Sequence, residues 1–244
     1  MKLFIFVICF LMPLQETFKQ KHLKFIRVKD AYSEKENTVK KYFLLKNLNY
    51  QGYNLYLRAF KQERILEVWV KEAASKQYSL LTQYDFCSSS GVPGPKRREG
   101  DGQIPEGFYH INHFNPVSNF HLSLGINYPN KSDKLLSDPD APGSAIYIHG
   151  NCVTIGCIPV TDDKIKELYI LAVEARNNGQ QNIPVHIFPA KMNTREFADL
   201  QQKHISNTGL LAFWNNLQPG FQRFEESKEI PQVGVDEKGI YTFR

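Results

Sequence analysis

The sequence predicts a mainly β (α+β) fold with one main helix and an appendage at each end. Three observations carry that expectation. Short runs with a period of two recur between residues 54 and 188, the repeat of strands with one buried face. Clusters of Gly and Pro stand between them, as in Gly91-Val92-Pro93-Gly94-Pro95 and Pro139-Asp140-Ala141-Pro142-Gly143, where the chain must turn. Only one long stretch, opening at Thr161, has the helical period.

In the first run Leu55, Leu57 and Ala59 alternate with Tyr56, Arg58 and Phe60; in the second Leu66, Val68 and Val70 alternate with Glu67, Trp69 and Lys71. The polar link Lys61–Arg64 makes the pair a β-hairpin. Further strands are expected at Phe108–Asn112, Phe120–Leu124, Ala145–His149 and Pro184–Phe188. In the Phe120–Leu124 run the polar side belongs to His121 and Ser123. For the helix, Thr161 is a suitable cap and Asp162 and Asp163 suit its positive end. Ile165, Leu168, Leu171, Ala172 and Ala175 then form one stripe before Gly179. A shorter helix is expected from Thr194 to His204, and Val39 to Leu45 hints at another.

Composition narrows the classes. Of 244 residues, 42% are hydrophobic and 23% charged, values of a folded globular chain and not a disordered one. No apolar run reaches eighteen residues, which excludes a polytopic membrane protein. The net charge of +5 is unevenly placed: residues 1–51 carry ten Lys and Arg against four Asp and Glu, residues 52–189 thirteen against fourteen, and residues 190–244 seven of each. A nucleic-acid enzyme spreads its basic patch over the binding domain, so no nucleic-acid partner is expected. The basic N-terminal segment is consistent with proximity to anionic headgroups or with a solvated face.

Lys2 and the apolar run Leu3–Met12, ended by Pro13, resemble a secretory signal too short to span a bilayer. The expected organisation is a signal peptide at 1–15, an N-terminal extension at 16–52 packed on the body, a main domain at 53–189 and a C-terminal appendage at 190–244. Export to the periplasm or cell envelope follows. The oligomeric state is not legible.

Chemistry concentrates in Ile146-Tyr147-Ile148-His149-Gly150-Asn151-Cys152-Val153-Thr154-Ile155-Gly156-Cys157. On a strand ending at His149, Ile146 and Ile148 face the core, which presents His149 on the other side beside a flexible Gly. Seven intervening residues allow the loop to fold back and bring the Cys157 thiol to the imidazole. A cysteine nucleophile needs that neighbouring base, with a thiolate whose pKa the His lowers. Of four cysteines, Cys9 leaves with the signal if that is cleaved, and Cys87, Cys152 and Cys157 remain an odd set in which at least one thiol stays free or pairs between chains. Cys152 is either a small buried hydrophobe or the partner of Cys87.

His149-Gly150 followed by Ile155-Gly156-Cys157-Ile158 resembles the active-site signature of the L,D-transpeptidase (YkuD-type) catalytic domain, in its short-loop, YafK-like murein subgroup. The resemblance extends through Gly100-Asp101-Gly102-Gln103-Ile104-Pro105-Glu106-Gly107-Phe108-Tyr109 and His121-Leu122-Ser123-Leu124-Gly125-Ile126-Asn127-Tyr128-Pro129-Asn130. It implies a β-sandwich-like catalytic domain with Cys157 as nucleophile, His149 as base and the Gly150 carbonyl orienting the imidazole. Amides around Gly156 and Cys157 would form the oxyanion hole. Peptidoglycan stem peptides are the implied partner, and neither metal nor organic cofactor is implied. Two departures distinguish this chain: the His-to-Cys spacing is about half that of better-known members, and Pro159 stands where many carry Arg.

By that resemblance the expected activity is cysteine-dependent transpeptidation through a thioester. The alternatives are a carboxypeptidase or endopeptidase on the same residues, and a catalytically silent murein-binding module. The remaining candidates are weaker. His121 and Ser123 are read as possible lining of a substrate groove. His110, His113 and His121 with Cys152 match no zinc spacing. Lys96-Arg97-Arg98 reads as a solvated loop charge run, or as an attractor of acidic stem peptides.

Overall fold

The expected hairpin is the first part of the sheet. In the computed structural model, which describes residues 15–244, β1 (Asn54–Phe60) pairs antiparallel with β2 (Ile65–Lys71), Leu57 opposite Val68. Arg64 takes a left-handed φ of 56° where the chain turns back. β3 (Ser79–Asp85), not foreseen, adds to the outer side of β2. β4 (Gly107–Asn115), β5 (Ser123–Ile126), β6 (Tyr147–His149), β7 (Ile158–Pro159) and β8 (Ile183–Phe188) complete one eight-stranded sheet in the order β3-β2-β1-β8-β4-β5-β6-β7. Its two ends are brought together, because the Cys87 N–H, just past β3, donates to the Pro159 carbonyl of β7 at 3.1 Å.

Both faces of this sheet are covered. On one lie α1 (Phe18–His22), α2 (Ile26–Leu45) and α4 (Asp162–Asn177). Leu55, Leu57 and Ala59 share a buried cluster with Val39 and Phe43 of α2 and Leu168 and Leu171 of α4. The helical stripe Ile165, Leu168, Leu171, Ala172 and Ala175 is wholly buried, and the Thr161 side chain caps α4 by accepting from the Lys164 N–H. Tyr32 and Tyr42 of α2 donate to Glu174 and Glu167 of α4, both at 2.9 Å. Basic residues of the N-terminal segment answer acidic ones of α4: Lys35 meets Asp163 at 3.0 Å and Lys19 meets Glu174 at 2.6 Å.

The other face is covered by the C-terminal residues, through α5 (Arg195–Lys203), α6 (Thr208–Ser227) and a two-stranded ribbon of β9 (Val233–Val235) and β10 (Tyr241–Phe243); α3 (Lys131–Leu136) caps the ribbon side. Trp214, Leu217 and Phe221 pack with Phe60, Phe108 and Phe188. This corrects two expectations. The alternation in β1 is not apolar-in and polar-out, since Arg58 is buried as well as Leu57. Its guanidinium meets Glu225 of α6 at 2.6 Å and lies over the rings of Phe60, Phe221 and Phe224, so the charge is paired where it is dry. Nor is there one long helix in the chain: α2 and α6 have 20 residues each. Pro219 and Gly220 sit inside α6, and such residues hide a helix from propensity reasoning.

The strand expected at Phe120–Leu124 begins instead at Ser123. His121 adopts φ 69°, which no strand residue can hold, so the two sides of the expected alternation are lost and Ser123 is buried. The signal peptide read at 1–15 lies, except for Gln15, outside the described residues. Among them no helix is long and apolar enough to cross a membrane.

One buried network fastens the C-terminal layer to the sheet. Glu106, fully buried, meets the Lys61 ammonium at 2.9 Å and accepts from Trp214 Nε1 at 2.8 Å and the Gly94 N–H at 2.8 Å. Removing one member of a buried pair leaves the other charge uncompensated. Glu106→Leu is therefore expected to lower the unfolding free energy by about 3 kcal/mol, read as a lower urea midpoint. An unchanged midpoint would show that the Lys61 contacts to the Val92, Gly94 and Ile104 carbonyls suffice.

Candidate active site

The site is made by two very short strands. β6 ends at His149, and β7 returns parallel to it with Ile148 opposite Ile158 and His149 opposite Pro159. That register brings Cys157, one residue before β7, back beside Tyr147, whose N–H donates to Cys157 Sγ at 3.4 Å. His149 and Cys157 thereby line one cavity of about 550 Å³ with Ser123, Tyr147, Thr154 and Phe120. The Phe120 ring lies 4.6 Å from the imidazole centroid. Val153 and Ile155 form an exposed apolar rim, Ile155 being 88% exposed.

Three tethers hold the connecting segment 150–157. Cys152 is bonded to Cys87, which leaves Cys157 as the free thiol among the described residues and decides the alternative left open for Cys152. The Asn151 N–H donates to Asp162 Oδ1 at 2.8 Å. The Thr154 hydroxyl donates to the Cys157 carbonyl at 2.8 Å and accepts from the Gly156 and Cys157 N–H groups at 3.2 and 2.9 Å. Gly156 has φ 136°, and a Cβ there would stand 2.9 Å from the Gln103 carbonyl oxygen, so only Gly fits this backbone.

The imidazole is oriented by its own neighbour: His149 Nδ1 lies 2.5 Å from the Gly150 carbonyl oxygen. A carbonyl can only accept, so Nδ1 carries the proton and Nε2 is left as the ring's basic nitrogen. Burial lowers the His149 pKa below its ordinary 6.5, with the Gly150 bond acting in the opposite sense. Burial also raises Cys157 above its ordinary 9.0, opposed by the Tyr147 N–H and the charge of Lys96. The expectation of a His-lowered thiolate is thus corrected. Burial acts against both charged forms, the imidazolium and the thiolate.

The other sequence candidates divide. Ser123 lines the cavity, opposite His149 in the β5–β6 register. His121 does not; its carbonyl accepts from Arg27 at 2.8 Å, and its Nε2 is buried without a partner among the described residues. The Gly156 and Cys157 amides expected to form an oxyanion hole both point at the Thr154 hydroxyl. His110 and His113 line a separate cleft with His22 and Arg176, and Cys152, held in its disulfide, joins no zinc set. Lys96-Arg97-Arg98 is not a solvated run: Lys96 is buried against Asp101 at 2.6 Å, and Arg97 reaches Asp133 at 3.5 Å and lies over the Phe213 ring. Sequence reasoning missed Thr154 and the bond that Asp162 accepts from the Asn151 N–H. A hydroxyl three residues before the cysteine was the available signal for the first, since such side chains close local turns.

The raised thiol makes a direct prediction. The alkylation rate of Cys157 by iodoacetamide, followed against pH, is expected to rise with a midpoint above 9.0, so that only a small fraction of thiolate is present at neutral pH. A midpoint below 7 would instead mean a resting thiolate–imidazolium pair.

A family model described as the L,D-transpeptidase catalytic domain (YkuD) matches residues 56–187. The protein named "Putative L,D-transpeptidase YafK" from Escherichia coli (strain K12) is 36% identical over 186 residues, which cover 75% of this chain and 72% of that relative. Among solved structures, the helical cell shape determining protein Pgp2 from Campylobacter jejuni superposes with a TM-score of 0.45 at 17% identity, covering 82% of this chain and 81% of that one. Bdellovibrio bacteriovorus Bd1075 gives 0.39 at 23% identity, over 71% and 60%. The family model and the YafK relative agree with the cavity built on β6 and β7: the chain belongs to the L,D-transpeptidase (YkuD-type) catalytic-domain family.

Proposed function

We propose that this protein is an exported cell-wall enzyme that transfers acyl groups between peptidoglycan stem peptides, with Cys157 as nucleophile and His149 as base. One observation carries the reading: the free thiol and an imidazole with its Nδ1 held by Gly150 line the same cavity. His149 Nε2 takes the thiol proton as Sγ attacks the carbonyl of the L-centre of diaminopimelate at the third position of the stem. The resulting oxyanion needs N–H donors beside the thiol, a role the resemblance gives to the Gly156 and Cys157 amides, which at rest donate to the Thr154 hydroxyl. Collapse breaks the peptide bond to the fourth-position D-Ala, whose amine receives the proton from His149, and leaves a thioester. An amine of a second stem then attacks the thioester, forms a 3→3 cross-link and restores the thiol.

Electrostatics support this order of events. Burial disfavours both the thiolate and the imidazolium, which favours proton transfer during attack over transfer before it. The acidic limb of kcat/KM should then follow His149, below pH 6.5, because the protonated ring cannot accept the thiol proton. Two observations support export: the Cys87–Cys152 disulfide, of a kind that persists in oxidising compartments, and the apolar run Leu3–Met12 after Lys2.

The deciding experiment is incubation with purified muropeptides followed by mass spectrometry. Cross-linked dimers are expected with the wild-type chain, and a loss of several orders of magnitude in Cys157→Ala. Shortened monomers without dimers would mean that water resolves the thioester and that the protein is a hydrolase. Unchanged muropeptides, with Cys157 still open to a small thiol reagent, would overturn the catalytic reading.

A further inference from the structure

The Gly150–Asn151 peptide is gripped at both ends. Its carbonyl oxygen lies 2.5 Å from His149 Nδ1, and its N–H donates to Asp162 Oδ1 at 2.8 Å. The geometry is enforced locally. Asn151 holds φ 64°, and a Cβ on Gly150 would come within 2.5 Å of Asp162 Oδ1 and 2.9 Å of both Ile165 Cγ2 and the Phe120 carbonyl oxygen. Only a glycine lets the carboxylate approach this peptide so closely. Asp162 is not spent on capping α4, since Thr161 caps it. Its neighbour Asp163 faces elsewhere, bonded to Lys35 at 3.0 Å.

Resting on the functional reading above, we propose that Asp162 is a positioning residue for the reaction at Cys157: its carboxylate polarises the Gly150–Asn151 peptide, strengthens the bond the carbonyl accepts from His149, and so fixes the imidazole's orientation and tautomer. A hydrogen bond from an amide N–H to a carboxylate is charge-assisted. It draws electron density toward the carbonyl oxygen at the other end of the same peptide, and chains of hydrogen bonds reinforce one another in this way. The carbonyl alone is a neutral acceptor. With a carboxylate behind it, it favours the Nδ1–H form and stabilises the imidazolium that forms during attack. The arrangement performs through one peptide group what a directly bound carboxylate performs in a Ser-His-Asp triad.

The charged and titratable groups facing this unit come from several elements. Cys157 lies across the cavity with Lys96 in electrostatic reach, and His121 lies near Asp162 together with Lys166, Arg27 and Glu34.

The test compares the full chain with Asp162→Asn and with Asp163→Asn, which removes a charge from the same helix turn but not from the peptide. Long-range proton–nitrogen NMR spectra report the tautomer and titration midpoint of the His149 ring without any substrate. In Asp162→Asn the midpoint is expected to move to lower pH and the Nδ1–H share to fall from its wild-type value, while Asp163→Asn keeps the wild-type spectrum. Muropeptide turnover is expected to fall about tenfold in kcat, the lower end of what loss of a hydrogen-bonded partner costs a metal-ligating histidine, with KM and melting temperature retained. Should Asp162→Asn unfold, Asp162→Ser, a good residue near a helix start, is read in the same way. A wild-type tautomer and midpoint in the folded variant would overturn the proposal. If the wild-type chain turns over no muropeptide, the functional reading fails, yet the spectra still decide whether Asp162 governs the ring.

Discussion

The cavity depends on one constraint: the chain must leave His149 and return parallel to itself within the eight residues 150–157. Parallel strands ordinarily need a crossover of about a dozen residues or more. A connection this short has little slack and few internal bonds, so its shape is imposed from outside and from its own side chains. Cys87, Asp162 and Thr154 each supply a fixed point, and between them they account for the conformation of Gly150, Asn151, Gly156 and Cys157. The disulfide also restricts the unfolded chain. Closing a separation of 65 residues is worth about 4 kcal/mol in the chain-entropy picture.

The burial of His149 and Cys157 has an electrostatic consequence that runs against the usual picture of an activated cysteine. Burial disfavours the thiolate and the imidazolium alike, and among the described residues the charge nearest in effect to the thiol is Lys96, itself paired with Asp101. Burial thus favours the proton on sulfur and the lone pair on Nε2. In the proposed reaction, the thiol becomes nucleophilic when a positioned carbonyl offers somewhere for the negative charge to go.

Much of this was legible in the residues. The β1–β2 hairpin follows from period two around a polar link, and α4 from its cap, its first-turn carboxylates and its apolar stripe. His149 and Cys157 were legible because strand alternation, a flanking Gly and the family signature agree on them. What was not legible depends on partners far away in sequence. Arg58 reads as a solvent-facing strand residue until α6 brings Glu225 across it, 167 positions later. His121 reads as a strand residue because nothing local announces a left-handed backbone at a non-glycine. Asp162 reads as a helix-dipole charge, which it also is; its bond to Asn151 exists only because the segment folds back over the start of α4.

The junction between Cys87 and the β7 side of the sheet bears on more than the cavity. In the order β3-β2-β1-β8-β4-β5-β6-β7 the terminal strands are β3 and β7, and the Cys87–Pro159 hydrogen bond and the Cys87–Cys152 disulfide draw those margins together. An open sheet offers unpaired N–H and C=O groups to any passing strand and invites aggregation. Here one covalent link that shapes the cavity segment also holds the end of β3 against β7. The oxidation state of Cys87 and Cys152 therefore bears on the margins of the sheet as well as on the arrangement of the thiol.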